Sequence, residues 1–300
     1  MTNAAMVLAF LILIAGAVAI PKPLHLKVES QPPHPVNGDA CLFKITATAK
    51  LKEIHGKWLD HEVEFESLDH GRTWVGIAGT AFTTKKGQYP LTLEGATLSG
   101  SAVALSQKIH VQIVKRKTIA APKPLTVEGK FTSPDPETMK RIDEEKALKA
   151  ATYKETSAHA LWSGAFMQPL DSLITETYGV RRVFNGQILS EHKGVDFRAA
   201  PGTPVLAVNS GKVLLARELF FEGNCVMLDH GQGLISIYMH FSKLSVQEGD
   251  QVERGQKLGE SGATGRVTGP HLHVSVQWRG VSLDLLSLTA LKPPELTAQR

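Results

Sequence analysis

Four histidines and one aspartate supply the residue types that hold a metal ion and move a proton: His192, Asp196, His240, His271 and His273. On a β-strand, residues two apart point to the same face about 7 Å from one another, so His271 and His273 can converge on one small site. His192 and Asp196 are four apart, which a straight strand stretches to about 13 Å, too far for one ion with ligand bonds of about 2 Å. The chain must bend between them, and Gly194 is the residue that allows it. Imidazole nitrogens and a carboxylate oxygen suit Zn2+, whose catalytic sites keep three protein ligands and leave the fourth position to water or substrate. Four histidines and one aspartate are more than three ligand places use, and the surplus points to catalysis. Each fragment is weak alone, since a His-x-His pair arises by chance and a lone histidine is an ordinary surface residue; the combination carries the signal.

The ordered set Tyr178-Gly-Val-Arg-Arg-Val-Phe-Asn-Gly, His192-Lys-Gly-Val-Asp-Phe, Tyr238-Met-His240-Phe-Ser and Gly265-Arg-Val-Thr-Gly-Pro-His271-Leu-His273 resembles the lysostaphin/LytM-type zinc metallopeptidases, which cleave peptide bonds in bacterial cell-wall peptidoglycan. The resemblance covers residues 167–288. It implies that His192, Asp196 and His273 hold one Zn2+, with no ligand position substituted, and that His271 and His240 are catalytic. His271 is then the candidate general base, and His240 the oxyanion donor or second proton-transfer group. Arg181 and Asn185, in the run before the first ligand, are candidates for contacting carboxylates or amides of a wall peptide, with a fold-stabilising role standing beside that one. The implied function is a zinc-dependent endopeptidase acting on peptidoglycan stem or cross-bridge peptides. The competing reading is a wall-associated zinc-binding regulator that activates a partner hydrolase without hydrolysing the wall itself. Which wall bond is cleaved stays open.

The elements that must position these residues are mainly β. Over 36–117, runs such as Cys41-x-Phe43-x-Ile45-x-Ala47 alternate and are separated by turn signals, which predicts an immunoglobulin-like β-sandwich with Trp58 and Trp74 in or beside its core. His55, His61, His70 and His110 have no ligand-like spacing there. Residues 118–160 form a Pro-rich linker and helix: Asp135 or Ser133 caps it, Pro136 and Glu137 enter its first turn, and Glu137–Thr152 contains neither Gly nor Pro. From 167 to 288, short β-branched runs broken by Gly predict a second antiparallel β domain of barrel-sandwich hybrid type, followed by a polar tail over 289–300. The stretch around Val246–Gly259 resembles the hairpins of biotinyl and lipoyl carriers but lacks their short lysine motif, so the likeness is one of hairpin architecture.

Composition bounds the rest. The chain has 300 residues, enough for two cores, and 42% hydrophobic with 21% charged residues is ordinary for a globular protein. The net charge of +4 comes from scattered Lys and Arg, the densest run being Lys115-Arg116-Lys117, so no nucleic-acid partner is expected. Ala4–Ile20 is free of charge and Ala17-Val18-Ala19 offers a small-x-small cleavage site, which predicts a signal peptide over 1–19 and an exported, periplasmic or cell-envelope protein. An uncleaved membrane anchor is the alternative, because the extreme N-terminus lacks Lys and Arg. Cys41 and Cys225 sit in apolar runs and are expected as buried thiols, a bridge between domains being the other choice. The N-terminal sandwich is also a candidate for covering the cleft and keeping the enzyme latent.

Overall fold

The computed structural model describes residues 24–98, 107–113, 123–186 and 188–296. The export segment expected over 1–19 lies outside the described residues, as does the end of the expected tail. No helix among the described residues is long and apolar enough to cross a membrane.

Alternation in the first part of the sequence becomes β1 (Leu26–Gln31), β2 (Ala40–Ala47), β3 (Leu51–Trp58), β4 (His61–Glu64), β5 (Glu66–Ser67), β6 (Thr73–Gly79), β7 (Gly87–Thr97) and β8 (Gln107–Ile113). They build two four-stranded antiparallel sheets, ordered β1-β2-β6-β5 and β4-β3-β7-β8. Period-two patterning sends Cys41, Phe43 and Ile45 of β2 inward, where they are fully buried. They share one core with Trp58, Leu91 and Leu93 of the facing sheet, and Phe43 meets Trp58 edge-on with ring centroids 5.0 Å apart.

The connecting segment does more than span. It supplies β9 (Lys123–Leu125), a single 3-10 turn at Gly129–Phe131, and α1 (Pro136–Thr152). Asp135 caps α1 by accepting from Thr138 N at 2.7 Å, and Pro136 sits where a missing N–H costs nothing. Met139 faces solvent, whereas Ile142 is buried. Leu148 and Tyr153 close a separate apolar cluster formed by Leu215, Leu219, Cys225, Met227, Ile235 and Ile237.

The remaining strands are β10 (Ile174–Glu176), β11 (Arg181–Phe184), β12 (Ile188–Glu191), β13 (Gly194–Phe197), β14 (Pro204–Leu206), β15 (Gly211–Leu219), β16 (Gly223–Asp229), β17 (Leu234–Leu244), β18 (Gln251–Val252), β19 (Lys257–Ser261), β20 (Leu272–Trp278) and β21 (Val281–Leu283), with α2 at Leu285–Ala290. The main antiparallel sheet runs β10-β13-β20-β17-β16-β15-β18; β19 joins β14 to β17, and β21 pairs with β20. Beside it lies a small sheet β12-β11-β9, in which the linker strand β9 pairs in parallel with β11. The sandwich and the second β region share a continuous core, tied by Asp284 N donating to Gly38 O and Ala40 N to Ser287 Oγ, both at 2.8 Å. The start of the expected polar tail contributes too: Leu291 is buried and Leu296 packs against the same core. Cys41 and Cys225 are both free, buried thiols in different clusters.

A polar line runs through the second core. Val208 N donates to the Tyr238 hydroxyl at 2.9 Å, the Tyr238 and Ser236 hydroxyls lie 3.1 Å apart, and Ser236 Oγ is 2.7 Å from His230 Nε2. His230 Nδ1 donates to Ser210 O at 2.7 Å, so its Nε2 is the acceptor and the ring is neutral. Burial pushes His230 down to about 4 against the pull of that carbonyl. Because the folded value lies below the unfolded one near 6.5, the unfolded chain takes up a proton that the native state refuses, and stability falls as pH drops from about 6.5 towards 4. Urea unfolding of the wild type should lose about 1.5 kcal/mol from this residue between pH 6.5 and pH 5. The loss over that interval should be smaller by that amount in His230→Gln; an unchanged loss contradicts the assignment.

Candidate active site

Strand register brings the site together. In the three adjacent strands β10, β13 and β20, Glu176 pairs with Asp196 and Asp196 with His273, so the three form a lateral row on one face. His192 is delivered from the small sheet, at the step from β12 into β13, where its N–H donates to Val180 O and its carbonyl accepts from Gly179 N. The bend expected between His192 and Asp196 is therefore a change of sheet. Gly194 is not one of the positive-φ glycines, and its role is room: a Cβ there would stand 2.6 Å from His273 Nε2 and 2.5 Å from Val274 O.

His192, Asp196 and His273 are all buried, and one ligand atom from each lies within 4.8 Å of the other two. Asp196 Oδ1 is 3.0 Å from His192 Nε2 and 2.7 Å from His273 Nδ1, and the two nitrogens are 3.0 Å apart. His192 Nδ1 donates to Thr177 O at 2.9 Å, which leaves Nε2 as a lone pair in the neutral ring. Two imidazole lone pairs and a carboxylate oxygen crowded this closely repel unless a cation or shared protons sit among them. The set has the chemistry of a metal site, and the Thr177 carbonyl is the kind of outer partner that fixes a ligand's tautomer. Burial alone would raise the Asp196 carboxyl, but hydrogen bonds and charge from His192 and His273, when those rings carry protons, hold it well below the usual carboxylate range. Burial drives His273 down to about 4 despite its hydrogen bond with Asp196.

The other Asp196 oxygen is spoken for. Arg182 donates to Asp196 Oδ2 and to Glu176 Oε2, and Lys123 Nζ reaches Glu176 Oε1 at 2.8 Å. This Lys–Glu–Arg–Asp chain leaves Oδ1 as the oxygen available to a metal. Sequence reasoning singled out Arg181 and Asn185 instead, and neither lines the cleft. Asn185 is spent on the linker: its Oδ1 accepts from Val127 N at 2.9 Å and its Nδ2 donates to Val127 O at 3.0 Å. Arg182 was missed because neighbouring residues of a strand face opposite ways, and the choice between 181 and 182 needs the register of β11.

His271 and His240 stand beside the triad with ring centroids 4.9 Å apart. His271 Nδ1 donates to Gly269 O and His240 Nδ1 to Thr264 O, each at 2.8 Å, so both neutral rings turn an Nε2 lone pair free. His271 Nε2 is 3.8 Å from Asp196 Oδ1. Met239, not His240, is the cross-strand partner of His273, so a regular strand would turn His240 away. A bulge between β16 and β17 and a φ of 68° at His240 re-aim it into the cleft, a backbone cost of about 1–3 kcal/mol concentrated at the site. Burial, then the neighbouring His271 and His273, push His240 down to about 3. It is therefore a neutral acceptor near pH 7 that donates from Nε2 only after taking up a proton, which bears on the choice between an oxyanion donor and a second proton-transfer group.

All five residues open into a cleft of about 590 Å3. Lys123, Leu125 and Val127 of the linker form part of its wall, and the sandwich contributes none of its described residues.

Residues 190–285 match the family model described as Peptidase family M23. Peptidoglycan DD-endopeptidase ShyA of Vibrio cholerae is 37% identical over 131 residues, 43% of this chain and 30% of that protein. DD-carboxypeptidase/endopeptidase Mpg of Neisseria meningitidis is 41% identical over 106 residues, 35% of this chain and 24% of that one. The chain thus spans less than a third of the length of either relative. The crystal structure of an M23 peptidase candidate from Pseudomonas aeruginosa superposes with a TM-score of 0.63 at 29% identity, covering 85% of this chain and 95% of that one.

If Arg182 fixes which Asp196 oxygen is free, Arg182→Met should weaken metal binding by about 10- to 100-fold in a chelator competition titration with added divalent cation. Arg182→Lys should recover part of the loss, and unchanged affinity in Arg182→Met would remove the residue from the site.

Proposed function

We propose, on the match of residues 190–285 to peptidase family M23, that the chain is a zinc-dependent endopeptidase hydrolysing peptide bonds of bacterial peptidoglycan. The observation that carries this reading is the division of labour among four histidines. His192 and His273 converge with Asp196 on one point, while His271 and His240 keep Nε2 free beside it. A site that only held its metal would gain nothing from two further acceptors aimed into a cleft.

The donor set of two imidazoles and one carboxylate fits Zn2+, with His192 Nε2, Asp196 Oδ1 and His273 Nδ1 as the ligand atoms. Bound there, zinc would polarise the scissile carbonyl and make a water acidic enough to attack it. The chain's own residues do the rest. His271, its Nδ1–H fixed on Gly269 O, accepts the proton of the attacking water at Nε2 and, once charged, donates it to the departing amine. His240, held neutral by burial and by its neighbours, is a second acceptor beside it, the two ring centroids being 4.9 Å apart. Arg182 and Thr177 act through the ligands they orient. The charge-free stretch Ala4–Ile20 supports a protein exported to the cell envelope, where its substrate would lie.

The test uses the full chain loaded with zinc, with release of soluble fragments from purified peptidoglycan as the readout. His271→Ala should keep one zinc per chain and lose at least about 100-fold in rate. A variant as active as the wild type removes His271 from the mechanism. A zinc-loaded wild type that cleaves no wall preparation favours the regulator reading.

A further inference from the structure

The loop between β19 and β20 sets both free histidines through Thr264 O and Gly269 O, and between those two carbonyls it carries Arg266. The loop is clamped against the β15–β16 turn. Arg266 N donates to Phe221 O at 2.9 Å, and a Cβ on Gly265, whose φ is 75°, would fall 2.3 Å from Gly223 N. The guanidinium is placed by aromatics: its Cζ lies 4.5 Å from the centre of the Phe184 ring and 4.8 Å from that of Phe221. Behind this platform stands the linker. Phe131 packs on Phe220 and Phe221 with centroids 5.1 and 6.3 Å apart, and Val127, Phe131 and Phe184 form one buried cluster.

Aromatic faces attract the charge of a guanidinium but satisfy none of its five N–H groups. No carboxylate among the described residues forms an ion pair with Arg266. Glu222, on the same cleft wall, gives Oε1 to Lys149 Nζ, while its buried Oε2 has no hydrogen-bond partner among the described residues and makes no ion pair with Arg266; Glu176 and Asp196 are taken up by Lys123 and Arg182. Burial, with Arg182 nearby, works against the Arg266 charge, and Glu222 offsets this in part. A half-buried cation with open donors on the wall of a hydrolytic cleft needs an anion, and the fork geometry of guanidinium matches a carboxylate.

We propose that Arg266 is a specificity residue that binds a free carboxylate on the substrate peptide close to the scissile bond, so that the enzyme selects acidic wall peptides over amidated or neutral ones. The proposal rests on the endopeptidase reading and narrows its substrate class. The rigid platform matters because a guanidinium already held by two rings loses little freedom when the carboxylate arrives.

The experiment compares two synthetic cross-linked stem-peptide dimers that differ only in bearing free carboxylates or carboxamides beside the scissile bond. Binding is measured by calorimetry on the zinc-loaded full chain carrying His271→Ala, so that turnover does not enter. The free-acid peptide should bind about 10- to 100-fold more tightly than the amidated one. Adding Arg266→Met should erase the difference by weakening the free-acid peptide alone, and Arg266→Lys should restore part of it. Equal affinity for the two peptides, an equal loss on both in Arg266→Met, or no binding of either peptide overturns the proposal. Turnover of the amidated peptide by the active chain reports on the endopeptidase reading separately, because cleavage without discrimination sinks only the carboxylate site.

Discussion

The structure turns on one buried carboxylate. Asp196 sits between β10 and β20, and each of its oxygens has a separate duty: Oδ1 faces His192 and His273, Oδ2 is held by Arg182. Burying an unpaired carboxylate is prohibitively costly, so the ion must come with its partners, and those partners determine what surrounds it. Glu176 answers Arg182, Lys123 answers Glu176, and Lys123 arrives only because the linker adds β9 to the small sheet. The connection between the two β regions is thus part of the electrostatics of the site.

A second constraint is the orientation of four imidazoles within one cleft. Backbone carbonyls fix three of them by accepting from Nδ1: Thr177 for His192, Thr264 for His240 and Gly269 for His271. Two of those carbonyls belong to the loop that carries Arg266, so proton transfer and the proposed carboxylate contact share one support. Holding His240 at positive φ on a bulge is the local strain that this arrangement demands, and the ladder on either side of it keeps the strand in place.

Much of this was legible in the sequence, and the failures have a common cause. Strand alternation gave the inward faces of β2 and the mainly β architecture, and the Asp135-Pro136 pair gave the start of α1. His192, Asp196, His271 and His273 announced themselves by type and spacing. What a single sequence lacks is register. Without the pairing of β11 with β12 and β9, Arg181 and Arg182 are indistinguishable, and Asn185 looks as available as any polar loop residue. Gly194 was noticed for its freedom and matters for its small size, because the atom it must avoid belongs to His273, on another strand. The linker's share of the cleft wall had no local signal at all, since it depends on a parallel pairing between segments almost sixty residues apart.

The account stands on three protein ligands with two histidines left free, and X-ray absorption at the zinc edge of the loaded full chain tests that division most directly. It predicts two imidazoles and one carboxylate at about 2.0–2.2 Å with one exchangeable light-atom ligand, unchanged in His271→Ala and His240→Ala. A third imidazole in the wild-type spectrum that disappears in either variant would show that a supposed free histidine is a ligand, and would contradict it.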